Sequence, residues 1–202
     1  MTTMAGSVKC HDAFFRLKEG FMLSNDAIRD EIIRKSISVD NSFDNIEENF
    51  INVTLGNSIK VYDAPFLDVT EDTPTKEIII PEDGLILKPN ELYIGRTAEF
   101  TKTYGFVPVL TGKEELAAVG MEIHVTAGFG DNGFEGTWTL EIVCANPTIV
   151  YPGMPIGQIY YYPLIGNASI EYRGKYFRQI DPTSSRLYRE YENTEKEKVK
   201  KY

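Results

Sequence analysis

A glycine-rich turn that leads into a strand with one carboxylate is the part of this chain whose residue types could carry out chemistry. Gly128, Gly130, Gly133 and Gly136 crowd the turn, and Asp131 lies in its middle. Glycine has no Cβ atom, so a dense glycine turn lets a ligand approach the backbone closely. The turn is therefore a candidate binding loop.

The strand that follows the turn alternates in a way that sets Glu141 apart. Trp138, Leu140 and Ile142 fall on one face of an extended chain, while Thr139 and Glu141 fall on the other. Two interpretations of Glu141 are open at this point. It is either an exposed residue on a half-solvated strand, or a general base that takes a proton from water.

Metal-dependent chemistry has little support in the sequence. Cys10 and Cys144 lie far apart, which excludes the Cys-x-x-Cys pair of the zinc deaminases. His11 and His124 are too few and too scattered for a convincing metal site. We expect no bound zinc and no other metal held by the protein.

The overall charge restricts the partners. The chain has 21 basic and 30 acidic residues and a net charge of −9, which argues against binding along a nucleic-acid backbone. No apolar stretch approaches the ~20 residues that cross a bilayer, so we expect no membrane association. Residues 1–7 lack the charged start and apolar centre of a signal peptide, which predicts a cytoplasmic protein.

Short strands separated by Gly- and Pro-containing turns predict a mainly β fold, either a sandwich or a distorted barrel. Two short helices are expected at about 25–35 and 113–119, and a further one at 12–19. Residues 40–49 are expected to form a loop. The predicted strands are 51–55, 58–62, 76–80, 84–87, 91–95, 122–126, 137–143, 148–150 and 156–162.

These elements and motifs together resemble the dCTP deaminases of the trimeric dUTPase superfamily. The resemblance covers residues 22–190, which leaves residues 1–21 as an N-terminal extension and 191–202 as a charged, solvated tail. The motifs that carry it are His124-Val125-Thr126-Ala127-Gly128-Phe129-Gly130-Asp131, Gly133-Phe134, Gly136, Trp138-Thr139-Leu140-Glu141-Ile142, Leu92-Tyr93-Ile94-Gly95-Arg96-Thr97, Tyr151-Pro152-Gly153-Met154-Pro155-Ile156-Gly157-Gln158-Ile159 and Gly174-Lys175-Tyr176 with Gln179.

The resemblance implies a fold and a reaction. The fold would be a distorted, jelly-roll-like β-barrel of the dUTPase type with short helices, assembled as a homotrimer with active sites between subunits. The substrate would be a pyrimidine deoxynucleotide, and dCTP would be converted to dUTP and ammonia by water attack at C4 of cytosine without zinc. Mg²⁺ would accompany the triphosphate. Some members of the family also hydrolyse the triphosphate.

The resemblance also assigns roles to individual residues. Glu141 matches the general base that activates the attacking water, and Asp131 matches the contact to the sugar 3′-hydroxyl. The backbone at Ala127 matches the position that holds water and the edge of the base. The other matching positions are expected to contact the phosphates and the base, and they are Gln158, Tyr172, Lys175 and Gln179.

One motif departs from the family pattern. The family has Gly-Arg-Ser-Ser, then two residues, an Arg, one residue and a Gly, whereas this chain has Lys113, Glu114, Glu115 and Ala118 at the Arg, Ser, Ser and Arg positions between Gly112 and Gly120. Lys113 keeps the charge of the first arginine but loses its bidentate geometry. An ionised glutamate accepts hydrogen bonds and cannot donate them. At ~4 Å and an effective dielectric constant of about 20, a carboxylate facing a phosphate costs on the order of 4 kcal/mol.

A milder change lies in the first predicted strand. Around Phe50-Ile51-Asn52-Val53 the family has a Ser-Tyr-Asp/Asn pattern; Asn52 preserves the polar position, and the serine is absent. Three functions remain open on the sequence: a dCTP deaminase with a rebuilt phosphate-binding segment, a related enzyme for another nucleotide, and a catalytically impaired nucleotide-binding or interaction protein on the same scaffold.

Overall fold

The computed structural model describes residues 22–123 and 127–192, and strands are the main elements. The predicted helix at 12–19, residues 124–126 and the end of the charged tail lie outside this part of the chain. Helix α1 is Asn25–Ile33, a 3₁₀ helix is Ser42–Asn45 and α2 is Glu114–Ala118. The strands are β1 (Ile37–Val39), β2 (Ile51–Thr54), β3 (Ser58–Tyr62), β4 (Thr75–Ile79), β5 (Leu85–Leu87), β6 (Tyr93–Arg96), β7 (Thr101–Thr103), β8 (Phe106–Gly112), β9 (Met121–Ile123), β10 (Glu135–Gly136), β11 (Thr139–Cys144), β12 (Thr148–Val150) and β13 (Pro155–Pro163).

In the described residues these strands form four antiparallel sheets. The largest has the order β4-β3-β6-β11-β9, and two three-stranded sheets have the orders β1-β7-β10 and β2-β13-β8. Strands β12 and β5 form a separate pair. The prediction of a mainly β fold is confirmed. No described sheet closes on itself, so the described residues form open sheets and not the closed barrel that was expected.

The predicted elements agree well with the structure where the sequence pattern is strong. Strands β3 and β12 have the predicted bounds, and the other predicted strands that fall wholly in the described residues shift by one or two residues at one or both ends. Helix α1 begins after Ser24, whose side-chain oxygen accepts a hydrogen bond from the Ala27 N–H, as an N-terminal cap does. The predicted loop at 40–49 contains the 3₁₀ helix.

Strands β1, β7, β8 and β10 were missed. Three of them have only two or three residues, which is too short for a periodic pattern. Strand β8 has seven residues but contains Pro108, a residue that argues against a central strand. In the structure β8 lies at the edge of its sheet, where the missing N–H of proline is tolerated.

The core of the protein lies between the sheets and includes one face of β11. Trp138, Leu140 and Ile142 are buried, as the alternation predicts. Leu55 and Ile59 are also fully buried, and their side chains would touch a Cβ placed at Gly95 in β6. This packing fixes β6 and β11 side by side and leaves the opposite face of β11 free for a site. Among residues 22–123 and 127–192, no helix has the length and apolar character needed to span a membrane.

Candidate active site

Glu141 lies on the face of β11 that points away from the core. Its register partner on β6 is Ile94, and Thr139 precedes it on the same face. Both Thr139 and Glu141 are half-buried. Glu141 therefore does not stand on an open strand surface, because other parts of the chain cover this face.

The cover creates a cavity with a volume of about 380 Å³ in front of Glu141. Five of the residues predicted from sequence line it together, although they come from three separate stretches of the chain: Ala127, Asp131, Glu141, Tyr172 and Gln179. Gly130, from the predicted binding loop, also lines the cavity. The structure adds further wall residues that the sequence had not indicated as contacts, namely Tyr62, Leu92, Ile94, Phe129, Phe134, Trp138, Thr139, Tyr176, Thr183 and Ser185.

The glycine turn forms one side of the cavity and is held by β8. The Leu110 N–H donates to the Gly128 carbonyl at 2.8 Å, and the Gly130 N–H donates to the Pro108 carbonyl at 2.8 Å. A Cβ atom at Gly130 would lie 2.5 Å from the Trp138 ring. Glycine is needed there for packing against tryptophan, which the sequence analysis attributed to ligand approach alone.

The C-terminal segment, residues 171–187, forms the opposite side of the cavity. The Tyr172 N–H donates to the Asn132 carbonyl at 2.7 Å, which joins the segment to the glycine turn. The Ser185 N–H donates to the Tyr62 hydroxyl oxygen at 3.1 Å, which joins it to β3. These bonds bring the distant end of the chain in front of Glu141.

Two side-chain hydrogen bonds attach Gln179 of this segment to β11 and the residues that precede it. Its Nε2 donates to the Thr137 carbonyl at 2.9 Å and to Thr139 Oγ1 at 3.1 Å. Its Oε1 is buried and has no hydrogen-bond partner among the described residues. A buried acceptor without a partner is uncommon in folded proteins. This oxygen has almost no accessible surface, so it is not open to the cavity.

Lys175 lies beside the cavity and does not line it. Its ammonium nitrogen is 2.5 Å from Glu190 Oε1, and the hydrogen bond from Lys175 to this carboxylate raises the pKa of Lys175. The nitrogen also lies 5.9 Å from the ring centroid of Tyr176, a cavity residue. A phosphate that binds Lys175 would have to compete with Glu190.

Gln158 lies on a different sheet from Glu141, and Lys113 lies just beyond the end of a strand of that other sheet. Lys113 follows the end of β8, and its Nζ donates to Asn52 Oδ1 at 3.1 Å. Gln158 on β13 pairs with Asn52 on β2, and its Oε1 accepts a hydrogen bond from Tyr160 at 3.0 Å. Neither Lys113 nor Gln158 lines the cavity. We call these four residues, Asn52, Lys113, Gln158 and Tyr160, the Lys113 cluster.

The substituted motif lies next to the Lys113 cluster, in α2. Glu114, Glu115 and Ala118 are all exposed. Burial raises the pKa of Tyr160, and electrostatic interactions with Tyr162 and Glu114 add to this effect, so Glu114 lies within electrostatic range of the cluster. Asn52 in turn donates to Glu47 Oε1 at 2.5 Å. Glu47 and Glu114 therefore place negative charge beside the Lys113 cluster.

Some of the wall residues that were missed could have been predicted from the sequence, and others could not. Thr139 shares a strand face with Glu141, and Tyr176 adjoins Lys175, so both could have been inferred. Tyr62 occupies an ordinary strand position and becomes a wall residue because β3 lies beside β6 in the sheet. In the described part of the chain, no three His, Cys, Asp or Glu side chains are grouped closely enough to hold a metal ion.

Comparison with known proteins gives this geometry a context. The family model described as dCTP deaminase-like matches residues 22–164, which is most of the chain. The chain belongs to the dCTP deaminase-like family. This confirms the resemblance that the sequence motifs carry.

Two similar relatives come from clostridia. A protein of Clostridium beijerinckii named "dCTP deaminase, dUMP-forming" is 47% identical over 147 residues, which cover 73% of this chain and 85% of the relative. A protein of Clostridium acetobutylicum with the same name is 41% identical over 172 residues, or 85% of this chain and 99% of the relative.

A solved structure supports the fold. The 2′-deoxycytidine 5′-triphosphate deaminase of Agrobacterium tumefaciens superimposes with a TM-score of 0.56 at 17% identity. The match covers 71% of this chain and 48% of that protein, so this chain spans about half of its length. At this identity the likeness concerns the fold.

Proposed function

We propose that this protein is a dCTP deaminase whose final product is dUMP. The two clostridial relatives are named dUMP-forming, and this differs from our expectation of dUTP as the product. The proposal therefore includes two hydrolytic steps on one bound nucleotide: loss of the 4-amino group and loss of pyrophosphate.

One observation carries the proposal. Ala127, Asp131 and Glu141, together with Tyr172 and Gln179, line one cavity although they are distributed over about 50 residues of sequence. Aromatic side chains form much of the remaining wall, which suits a planar base. These residues were each predicted from the sequence to contact a different part of one nucleotide. A cavity unrelated to nucleotide binding would not be expected to bring them together.

In the proposed reaction Glu141 handles the protons. Its carboxylate takes a proton from a water molecule, and the oxygen of that water attacks C4 of cytosine. The C4–N bond then breaks, and the departing nitrogen takes up the proton and leaves as ammonia. A second water cleaves the bond between the α- and β-phosphates, which releases pyrophosphate and dUMP. Asp131 is proposed to hold the sugar, and Gln179 to bind the base.

The phosphate end of the nucleotide needs a second set of residues. Lys113 and Gln158 do not line the cavity of their own chain. We propose that they complete the site of a neighbouring subunit in a homotrimer. Mg²⁺ belongs in this proposal to the substrate, as a counter-ion of the triphosphate.

The test is a turnover assay on the full chain with dCTP and Mg²⁺. Ammonia is measured with a coupled enzyme, and dUMP, dUTP and pyrophosphate are separated by ion-exchange chromatography. We expect ammonia and dUMP in equal amounts. The Glu141→Gln variant should lose ammonia release while it keeps nucleotide binding, because glutamine preserves the shape but cannot accept the proton.

The matched control is Glu122→Gln. Glu122 lies on β9, the strand next to β11, and is exposed outside the cavity. Its substitution should leave turnover unchanged. Ordinary turnover by Glu141→Gln would refute the general-base role, and stoichiometric dUTP without pyrophosphate would refute the proposed product.

A second candidate is a nucleotide-binding protein without deaminase activity. Ala118 stands in place of the family's second arginine, and exposed Glu114 and Glu115 lie near the Lys113 cluster, so the surface proposed to receive the phosphates is poor in positive charge. The same acidic surface also suits an enzyme for a nucleotide with fewer phosphates or with a cationic group. A panel of deoxynucleotides and ribonucleotides, measured for turnover and for binding heat, separates these candidates. Binding without turnover favours the nucleotide-binding protein, and turnover of a nucleotide other than dCTP favours the enzyme for another nucleotide.

A further inference from the structure

Three side chains outside the cavity attach the C-terminal segment to β10. Tyr104 donates its hydroxyl hydrogen to Glu135 Oε1, and Arg178 Nε donates to Glu135 Oε2 at 2.8 Å. The Arg178 backbone N–H donates to the Glu135 carbonyl at 2.7 Å. The side chain of Glu135 is 6% exposed, so this carboxylate is almost fully enclosed by its partners. We call Tyr104, Glu135 and Arg178 the clamp.

The clamp acts immediately beside Gln179. Arg178 has a φ of +59°, a left-handed conformation that non-glycine residues seldom adopt without support from their surroundings. Gly136, which follows Glu135 in β10, lets the backbone of Gln179 approach the strand closely. A Cβ atom at Gly136 would lie 3.0 Å from the Gln179 carbonyl oxygen and 3.2 Å from the Gln179 backbone nitrogen. The backbone at 178–179 is thus set by its contacts with β10.

Gln179 transmits this placement into the cavity. The Thr137 N–H donates to the Gln179 carbonyl at 2.9 Å, and the side-chain Nε2 bonds are made to the same short stretch. With Nε2 so engaged, the Gln179 side chain is held in the cavity wall beside Thr139, on the strand that carries Glu141. A shift of the backbone at 178 would move this side chain.

We propose that Glu135 is a positioning residue: by holding Arg178 it sets the Gln179 side chain in the cavity wall, where this side chain contacts the nucleotide base. The inference rests on the proposed function, since it names the residue that prepares the same site. Neither Glu135 nor Arg178 touches the cavity.

The charges around Glu135 favour a permanent clamp at neutral pH. The hydrogen bond from Tyr104, and then the hydrogen bond and positive charge of Arg178, hold the pKa of Glu135 below its ordinary value. Lys102, the register partner of Glu135 on β7, contributes in the same direction. The carboxylate is therefore ionised, and both hydrogen bonds to it are charge-assisted.

The test compares Glu135→Gln with Glu171→Gln. Glu171 forms an exposed ion pair with Arg173 in the same C-terminal segment, so its substitution removes a similar bond without touching the clamp. Nucleotide affinity is measured by calorimetry with dCTP in a Glu141→Gln background, which prevents turnover. We expect Glu135→Gln to weaken binding about fivefold to tenfold, as the loss of one neutral hydrogen bond does, and Glu171→Gln to leave it unchanged.

A double-mutant cycle distinguishes positioning from general stabilisation. In a Gln179→Ala background, Glu135→Gln should cause no further loss of affinity, because the group that it positions is gone. An equal loss in both backgrounds would overturn the proposal. Arg178→Gly provides a second variant, since glycine adopts a positive φ without strain. It removes the side-chain bond to Glu135 and also the contact of the guanidinium with the Phe177 ring, whose centroid is 5.3 Å away. It should weaken binding at least as much as Glu135→Gln.

A nucleotide-free measurement keeps this inference apart from the proposed function. Hydrogen exchange of the Thr137 amide, which donates to Gln179, should be faster in Glu135→Gln than in the wild type and in Glu171→Gln. Unchanged exchange would overturn the clamp even if the enzyme is active. A wild type that binds no nucleotide, with exchange accelerated as expected, would refute the proposed function and the role in base binding but leave the clamp itself supported.

Discussion

Restoring the family's phosphate motif should strengthen dCTP binding. The perturbation is a single variant with four changes, Lys113→Arg, Glu114→Ser, Glu115→Ser and Ala118→Arg. It makes the surface beside the Lys113 cluster more positive by three charges, because two carboxylates are removed and one guanidinium is added. The four changes are combined because the serines and the arginines act as one phosphate-binding unit, so that their separate effects would not add.

The structure sets the size of the effect. Glu114, Glu115 and Ala118 are exposed in the single chain, so water screens their charges. An exposed charge pair at ~4 Å is worth about 1 kcal/mol or less. This is well below the ~4 kcal/mol expected for a partly buried pair. Three charges thus predict a gain of about 1–3 kcal/mol, or roughly 5- to 150-fold tighter binding.

The assay is calorimetric titration with dCTP at low salt and at 0.5 M salt. The gain should shrink at high salt, where charges are screened over a few ångströms. Glu82→Ser with Asp83→Ser is the matched control, since it removes two exposed carboxylates from the turn between β4 and β5. Equal dCTP affinity in wild type and restored variant at low salt would refute the reasoning, because Glu114 and Glu115 would then not face the phosphates.

Three further predictions follow from the same structure. Gly136→Ala should lower the free energy of unfolding by about 1–3 kcal/mol in a denaturant titration, because φ is +150° and the new Cβ would crowd Gln179; a stability equal to wild type would contradict this packing. The difference in free energy of unfolding between wild type and Glu135→Gln should have its full size above about pH 5. It should shrink as the pH falls below the ordinary carboxyl pKa of about 4.3 and through the lowered pKa of Glu135 in the folded state. A difference that grows on acidification would contradict the direction of the pKa shift. Light scattering should give three times the chain mass of 22.9 kDa, and a monomeric mass at working concentration would count against the proposed shared site.

The candidate site was predictable from sequence where residue type and local spacing sufficed. The alternation from Trp138 to Ile142 separates a core face from a face that carries Glu141, and the structure has this division. The glycine turn with Asp131 was also identified, although part of its function is to pack against Trp138. Period-two patterns are local, so they survive without knowledge of the fold.

Other features depend on which elements become neighbours, and local patterns do not encode that. Strand β8 was missed because Pro108 interrupts its pattern, yet β8 holds the glycine turn in place through backbone bonds. Tyr62 reaches the cavity because β3 lies beside β6, and Gln179 reaches Thr139 because the C-terminal segment folds back onto β10 and β11.

The sequence by itself determined the family, the mainly β class and the identity of Glu141 as the residue to test, because these depend on residue types in order along the chain. The tertiary structure decided which of the predicted residues meet. It joins Glu141, Asp131 and Gln179 in one cavity and leaves Lys113 just beyond the end of a strand of another sheet, because contacts between distant segments are set by the packing of whole strands. The clamp of Glu135 and Arg178 depends on the same packing, since only the folded chain brings these two charges together.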